Sequence, residues 1–242
     1  VTDDSGTAGE PGAAGPAEPA EQPGTAEAVD TPAGTARVIW HRSARPRLVL
    51  ALGHGAGGGV EARDLRALAR ELPAHGITVA LVEQPWRVAG KPLAPAPRTL
   101  DTGWRAVWPV LARDGLPVVS GGRSAGARVA CRTAGELGAR AVLALAFPLH
   151  PPGRPERSRA PELLGAGVPT LVVQGGRDPF GRPGEFPAGV RVTEVPGADH
   201  GFAVPKRAPG GRPGGSGQEA RDAQTAALAL LTGSVREWLE RE

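Results

Sequence analysis

The sequence predicts a single doubly wound α/β domain, and three observations carry that expectation. Short continuous apolar runs, such as PRLVLALG (46–53) and ITVALVE (77–83), suit strands buried on both faces of a parallel sheet. Segments of helical period, such as VEARDLRALAREL (60–72), alternate with them. The chain has 242 residues and 40% hydrophobic content, enough for one sizeable core. That core must be built from Ala, Val and Leu, because aromatics make up 4% and Tyr and Met are absent.

Residues 1–35 are rich in Pro, Gly, Ala and Glu and lack hydrophobic period. Such a segment buries too little apolar surface to offset its ordering entropy. A disordered acidic tail is expected there, with the folded domain over 36–242. ARVIW (36–40) reads as an edge strand and PRLVLALG (46–53) as a buried one. The helix 60–72 carries Leu65, Leu68, Ala69 and Leu72 at helical spacing, and Pro73 and Gly76 close it. ITVALVE (77–83) is the next buried strand, followed by a Pro-rich connection at 87–98.

TLDTGWRAVWPVLARDG (99–115) reads as a helix with Trp104 and Trp108 one turn apart and Pro109 at a kink or break. PVVSG (117–121) is a strand, and Ser124 to Leu137 form the helix after it. Strands at 140–149, 169–175 and 190–195 follow, then a terminal helix at 223–241. Strands separated by helices imply a mostly parallel sheet with right-handed crossovers, covered on both faces. The connection between strands 140–149 and 169–175 is too short for a large lid domain, and PKRAPGGRPGGSG (205–217) reads as a mobile loop.

Charge narrows the function classes. The net charge of +3 hides an acidic segment: residues 1–35 hold seven Asp and Glu with no Lys or Arg. The 26 Arg and two Lys are scattered, without a basic run or neighbouring aromatic stacking motif, so no nucleic-acid partner is expected. The Arg-over-Lys bias points to a GC-rich bacterial genome. No apolar stretch reaches 18 residues and no leader pattern is present, so no membrane association and a cytoplasmic location are expected. The single Cys131 excludes an internal disulfide and reads as an inert buried thiol. No Cys/His cluster or paired-His helix calls for a metal, and no cofactor is expected. Oligomeric state is not legible.

In an open parallel sheet, ligands gather at the carboxyl ends of the strands. Three reactive side chains fall there in order: Ser124, Asp178 and His200. Gly122-Arg123-Ser124-Ala125-Gly126 fits Gly-x-Ser-x-Gly, in which a sharp strand-to-helix turn exposes the serine. A serine hydroxyl needs a base to remove its proton, a role for His200, and Asp178 suits orienting the imidazole. Each residue also has a plainer reading: Ser124 as a helix N-cap, His200 as a loop histidine, Asp178 as an Asx turn. Asp199 is a poor substitute acid and Glu185 the one reserve. An oxyanion needs two amides; Ala125 supplies one, and Ala56 or Gly57 in GHGAGGG (53–59) the other. That loop lacks the Lys-Ser/Thr ending of a P-loop, and a dinucleotide site is disfavoured by the His in its turn. Trp86, His150, Phe180 and Phe202 lie near strand ends as substrate-pocket candidates.

HGAGGG, SGGRSAGARVA, FPLHPPGRPE, QGGRDPFG and PGADHGF together resemble the small α/β-hydrolases of the dienelactone-hydrolase-like kind. The likeness is greatest to the subfamily that includes a testis-expressed hydrolase-like protein and a subunit of a chromatin acetyltransferase complex. It covers about residues 36–242. The resemblance implies an α/β-hydrolase fold, Ser124, Asp178 and His200 as catalytic triad, and oxyanion donors at Ala56 and Ala125. The expected function is hydrolysis of a small-molecule carboxylester or thioester through an acyl-enzyme. The alternatives are a non-catalytic interaction module of the same fold, or acyl transfer by the same triad.

Overall fold

Side chains along the run Leu48–Gly53 alternate between two cores, which is why it is apolar throughout. Leu48, Leu50 and Leu52 enter one core, while Val49 and Ala51 enter the other. A computed structural model describes residues 24–205 and 217–242. The strands are β1 (Thr25–Thr31), β2 (Gly34–His41), β3 (Leu48–Gly53), β4 (Ile77–Glu83), β5 (Val118–Arg123), β6 (Ala141–Leu145), β7 (Thr170–Gly175) and β8 (Arg191–Val195). They form one sheet in the order β1-β2-β4-β3-β5-β6-β7-β8. From β4 to β8 all neighbours are parallel, and the β1–β2 and β2–β4 pairs are antiparallel.

The helices are α1 (Arg63–Glu71), α2 (Pro85–Val88), α3 (Pro97–Ala112), α4 (Ala125–Thr133), α5 (Ala160–Leu164) and α6 (Gly217–Leu239). Side chains of α2 to α5, including Trp104, Trp108 and Val129, pack the face reached by Val49. Leu65 and Leu68 of α1, with Leu231, Val235 and Trp238 of α6, pack the opposite face. None of the helices described is long and apolar enough to cross a membrane.

Four expectations change. The tail boundary at 35 is too late, because residues 25–31 form the edge strand β1 and make β2 an interior strand. Only Val29 of β1 is buried, so an apolar pattern is missing; backbone pairing and charge hold the strand instead. Glu27 accepts hydrogen bonds from Arg113 at the end of α3 (2.6 Å) and from the Trp40 indole (2.9 Å). The Arg113 hydrogen bond holds the Glu27 carboxyl below its ordinary range. The expected tail up to residue 23 lies outside the described residues, as does 206–216 of the glycine-rich loop. Second, α3 runs unbroken through Pro109, whose missing amide falls on the exposed side of the helix. Third, the 60–72 helix ends at Glu71 and tightens into a 3₁₀ turn closed by Gly76 at φ +78°. Fourth, α6 begins at Gly217, six residues before the apolar pattern.

A partly buried ion cluster clamps three helices. Arg132 of α4 grips Asp101 of α3 through two bonds (2.6 and 2.9 Å) and reaches Glu162 of α5 (2.8 Å). Arg128 holds the same Glu162 bidentately (2.8 and 2.5 Å). Burial alone raises the Glu162 pKa, but the two guanidinium groups more than offset it and hold the acid ionised.

Two outcomes test this packing. Arg132→Ala orphans Asp101 and should cost about 3 kcal/mol in urea unfolding, most of it recovered in Asp101→Leu/Arg132→Leu. Cys131 is buried and its thiol is pushed up to about 12. The native protein should therefore give no colour with a disulfide reagent until denaturant is added.

Candidate active site

The turn at 122–126 is shaped by how closely backbone can approach backbone. A Cβ on Gly122 would lie 2.5 Å from the Gly53 carbonyl oxygen, and one on Gly126 would lie equally close to it. Both glycines therefore press flat against the end of β3. Ser124 between them is forced to φ +52°, a left-handed conformation rare for a side-chain-bearing residue. Its amide donates to the Leu145 carbonyl (2.9 Å), which pins the turn to β6. Ser124 occupies the N-cap position of α4 yet makes no side-chain cap bond, so its hydroxyl is free for another partner.

That partner is His200, whose Nε2 lies 2.9 Å from Ser124 Oγ. On the other side of the ring, Nδ1 lies 2.7 Å from Asp178 Oδ2. Asp178 follows β7, two strands from β5, a separation of about 10 Å that one imidazole spans. With Nδ1–H donating to the carboxylate, Nε2 is left to accept the serine proton. Asp178 is fully buried and takes two further bonds, from the Gln174 amide (2.9 Å) and the Phe180 N–H (2.8 Å). The Phe180 bond is an Asx turn through Oδ1, and it leaves Oδ2 to the His200 ring. Gly175 makes the meeting possible, because a Cβ there would strike the Ala198 and Asp199 carbonyls at 2.5 and 2.6 Å.

The His200 loop is a self-closed turn. Asp199 Oδ1 accepts from the Gly201 and Ala203 amides (2.8 Å each), so this acid shapes the loop and does not face the imidazole partner site. Glu185 is engaged elsewhere, by His150 Nε2 (2.8 Å) and the Arg182 amide (2.9 Å).

Upstream, the loop after β3 is set by His54. Its buried Nε2 accepts the Gln84 amide (3.1 Å), so Nδ1 carries the proton and donates to the Gly55 carbonyl (2.9 Å). Burial holds its pKa below the ordinary value and keeps it neutral. Ala56 and Ala125 line one cleft with His54, Gly55, Trp86, Leu100 and Val129. Ala125 opens α4, so its amide has no acceptor in its own helix and sits at the positive end of the dipole. Gly57 is exposed and does not line this cleft. A larger pocket of about 390 Å³ adjoins it, sharing Gln84, Trp86 and Leu100.

The four pocket candidates separate. Trp86 lines the cleft and packs against His54, centroids 5.6 Å apart. Phe180 lies 4.2 Å from the His200 ring and walls the imidazole. Phe202 is fully buried at φ +53° and anchors the His200 loop in the core, so it lines neither cleft. The turn closed by Asp199 carries it to the far side. His150 lines neither cleft: both its ring nitrogens face acceptors, Pro151 O (2.9 Å) and Glu185. Those bonds raise its pKa, the Pro151 carbonyl most. His54 was not legible as a site residue because its partner Gln84 lies 30 positions away, and Gln174 because it sits inside a buried strand, where nothing in the local pattern marks its bond to Asp178.

A sequence profile described as "Alpha/beta hydrolase domain" matches residues 45–226. The chain belongs to that family. Comparison with curated protein sequences finds no match. Among solved structures, the chain is similar to a serine hydrolase homologue from Coxiella burnetii, with TM-score 0.66, 14% identity, and coverage of 88% of this chain and 98% of that one. It is also similar to a serine hydrolase without a lid from Xanthomonas campestris, with TM-score 0.60, 21% identity and coverage of 93% and 98%. A dienelactone hydrolase from Anabaena variabilis gives TM-score 0.65, 20% identity and coverage of 91% and 99%. At these identities the likeness carries the fold. Among the described residues there is no large lid domain: the connection from β6 to β7 holds only the five-residue α5.

Gly126→Ala places a methyl 2.5 Å from Gly53 O, whereas at Gly135 the nearest atom stands 3.6 Å away. Gly126→Ala should lose about 1–3 kcal/mol in thermal denaturation, while Gly135→Ala should fold as the wild type does.

Proposed function

We propose that this hydrolase cleaves a small carboxylester or thioester with Ser124 as nucleophile, His200 as general base and acid, and Asp178 as the imidazole's orienting partner. The observation that carries the reading is the unbroken chain Asp178–His200–Ser124 at 2.7 and 2.9 Å. Ser124 Oγ attacks the acyl carbon as its proton passes to His200 Nε2, giving a tetrahedral oxyanion. The amides of Ala56 and Ala125 converge on that oxygen from the loop and the helix. As the intermediate collapses, the carbon–oxygen or carbon–sulfur bond breaks and His200 delivers its proton to the departing alcohol or thiol. Water then attacks the acyl-serine, losing a proton to His200, and the acid leaves with Ser124 restored.

The apolar wall of Trp86, Leu100 and Val129 beside the oxyanion loop favours an uncharged acyl group there. An open approach without a lid suits small or flexible esters. The narrower resemblance, to the subfamily of the testis-expressed protein, rests on the sequence motifs alone; the family match and the solved structures support only the wider family.

A fluorophosphonate probe should label the wild type and leave Ser124→Ala unlabelled. On a panel of short and medium acyl p-nitrophenyl esters and thioesters, Ser124→Ala should lose roughly 10⁶-fold in kcat and Asp178→Asn about 10⁴-fold. Equal labelling of wild type and Ser124→Ala would falsify the assignment, and ester products formed with added alcohol would mark a transferase.

A further inference from the structure

We propose that Arg123 is a positioning residue for His200, holding the base in register with the nucleophile through a strut to the buried Asp64 of α1. The inference rests on the Ser124–His200–Asp178 reading and deepens it. Arg123 Nη2 donates to the His200 carbonyl at 2.5 Å, and its Nε donates to Asp64 Oδ2 at 3.2 Å. One guanidinium therefore binds helix α1 and the base loop together, and its own backbone is bonded directly to Ser124.

The position is tightly built. The Arg123 side chain is 14% exposed and Asp64 not at all. A Cβ on Gly55 would lie 3.2 Å from Arg123 Nη1 and 3.4 Å from Ser124 Cβ, so the guanidinium is wedged against the oxyanion loop. On the far side, a Cβ on Gly201 would stand 3.8 Å from Nη2. The base loop has its own internal closure through Asp199, and Gln224 of α6 holds its other end at Phe202 O (2.9 Å) and Val204 N (3.0 Å). Those bonds shape the turn and moor it to α6, while Arg123 ties the His200 peptide to the nucleophile side. Burial raises the Asp64 pKa and the Arg123 charge opposes that rise. The acid's place at the foot of α1 makes sense as an anchor for the fork. Arg geometry matters here, because a lysine ammonium is a point charge that cannot address both acceptors in one plane.

The test separates positioning from the cost of an orphaned buried acid. Arg123→Gln alone leaves Asp64 unpaired, so the informative variant is Arg123→Gln/Asp64→Asn, which removes both charges. With p-nitrophenyl butyrate as probe, its kcat should fall by about 100-fold, since a displacement near 1 Å is enough for that loss. Its KM should stay within about threefold of wild type, because ground-state binding is untouched. Arg123→Lys keeps a cation beside Asp64 and should fold with unchanged melting temperature and an intermediate kcat. Wild-type kcat in either variant, or a change in KM alone, overturns the strut. Ser124→Ala, run alongside, separates the failures: if it turns over like wild type, the triad reading falls first and the strut falls with it.

Discussion

The contact between the Gly53 carbonyl and the turn at 122–126 is the constraint from which the site follows. With no Cβ at either glycine, the N-terminus of α4 settles against the end of β3, as close as backbone atoms can come. That approach puts the first residue of α4 beside the loop that leaves β3, so Ala56 and Ala125, from distant parts of the chain, line one cleft. It also forces Ser124 into the left-handed region, a strain of order 1–3 kcal/mol that the surrounding packing must over-determine. The bond from its amide to Leu145 and the flat seating of the turn supply that rigidity. The strained turn aims the hydroxyl, and the long span from β7 is closed by the imidazole.

Arginine does more structural work in this chain than its scattered sequence positions imply. Four forks are engaged at key joints: Arg113 on Glu27, Arg128 and Arg132 on the α3–α5 acids, and Arg123 on Asp64 and the base loop. Each uses the planar donor geometry to address two atoms at once or to bridge elements. A compositional bias toward Arg thus becomes a set of cross-links between helices and sheet edges. The apolar cores hold the layers together; these forks set how the layers are aligned over the ends of the strands.

The parts of the fold legible in the sequence are those written in local pattern. The buried strands show as unbroken apolar runs because each alternates between two cores, and α3 shows through Trp104 and Trp108. Ser124 and Asp178 stand out because each follows a strand of that kind, and His200 because it follows the last strand, β8, of which only Val195 is buried. β1 escaped because an edge strand with one buried side chain has no apolar period, and its acidic residues resemble a solvated tail until Arg113 and Trp40 are seen beside Glu27. Phe202 misled for a different reason: a strand-end aromatic faces the pocket or the core according to a turn that Asp199 closes by side-chain bonds. His54 and the Asp64–Arg123 pair depend on contacts between residues 30 and 59 positions apart, which no short window contains. Local period therefore reports the scaffold and the strand-end residues, while the side chains that hold them in place appear only after folding.

The same edge strand bears on how copies of the protein meet. An open sheet ends in two rows of unpaired amides and carbonyls, each a template for another strand. At one end β1 is a seven-residue hairpin arm with Asp30 exposed; at the other, β8 is five residues long and exposes Arg191 and Glu194. Charged borders of this kind make strand-by-strand accretion of neighbouring molecules unfavourable. The acidic hairpin that composition disguises as a tail thus gives this border of the sheet charges of the kind that disfavour edge-to-edge pairing.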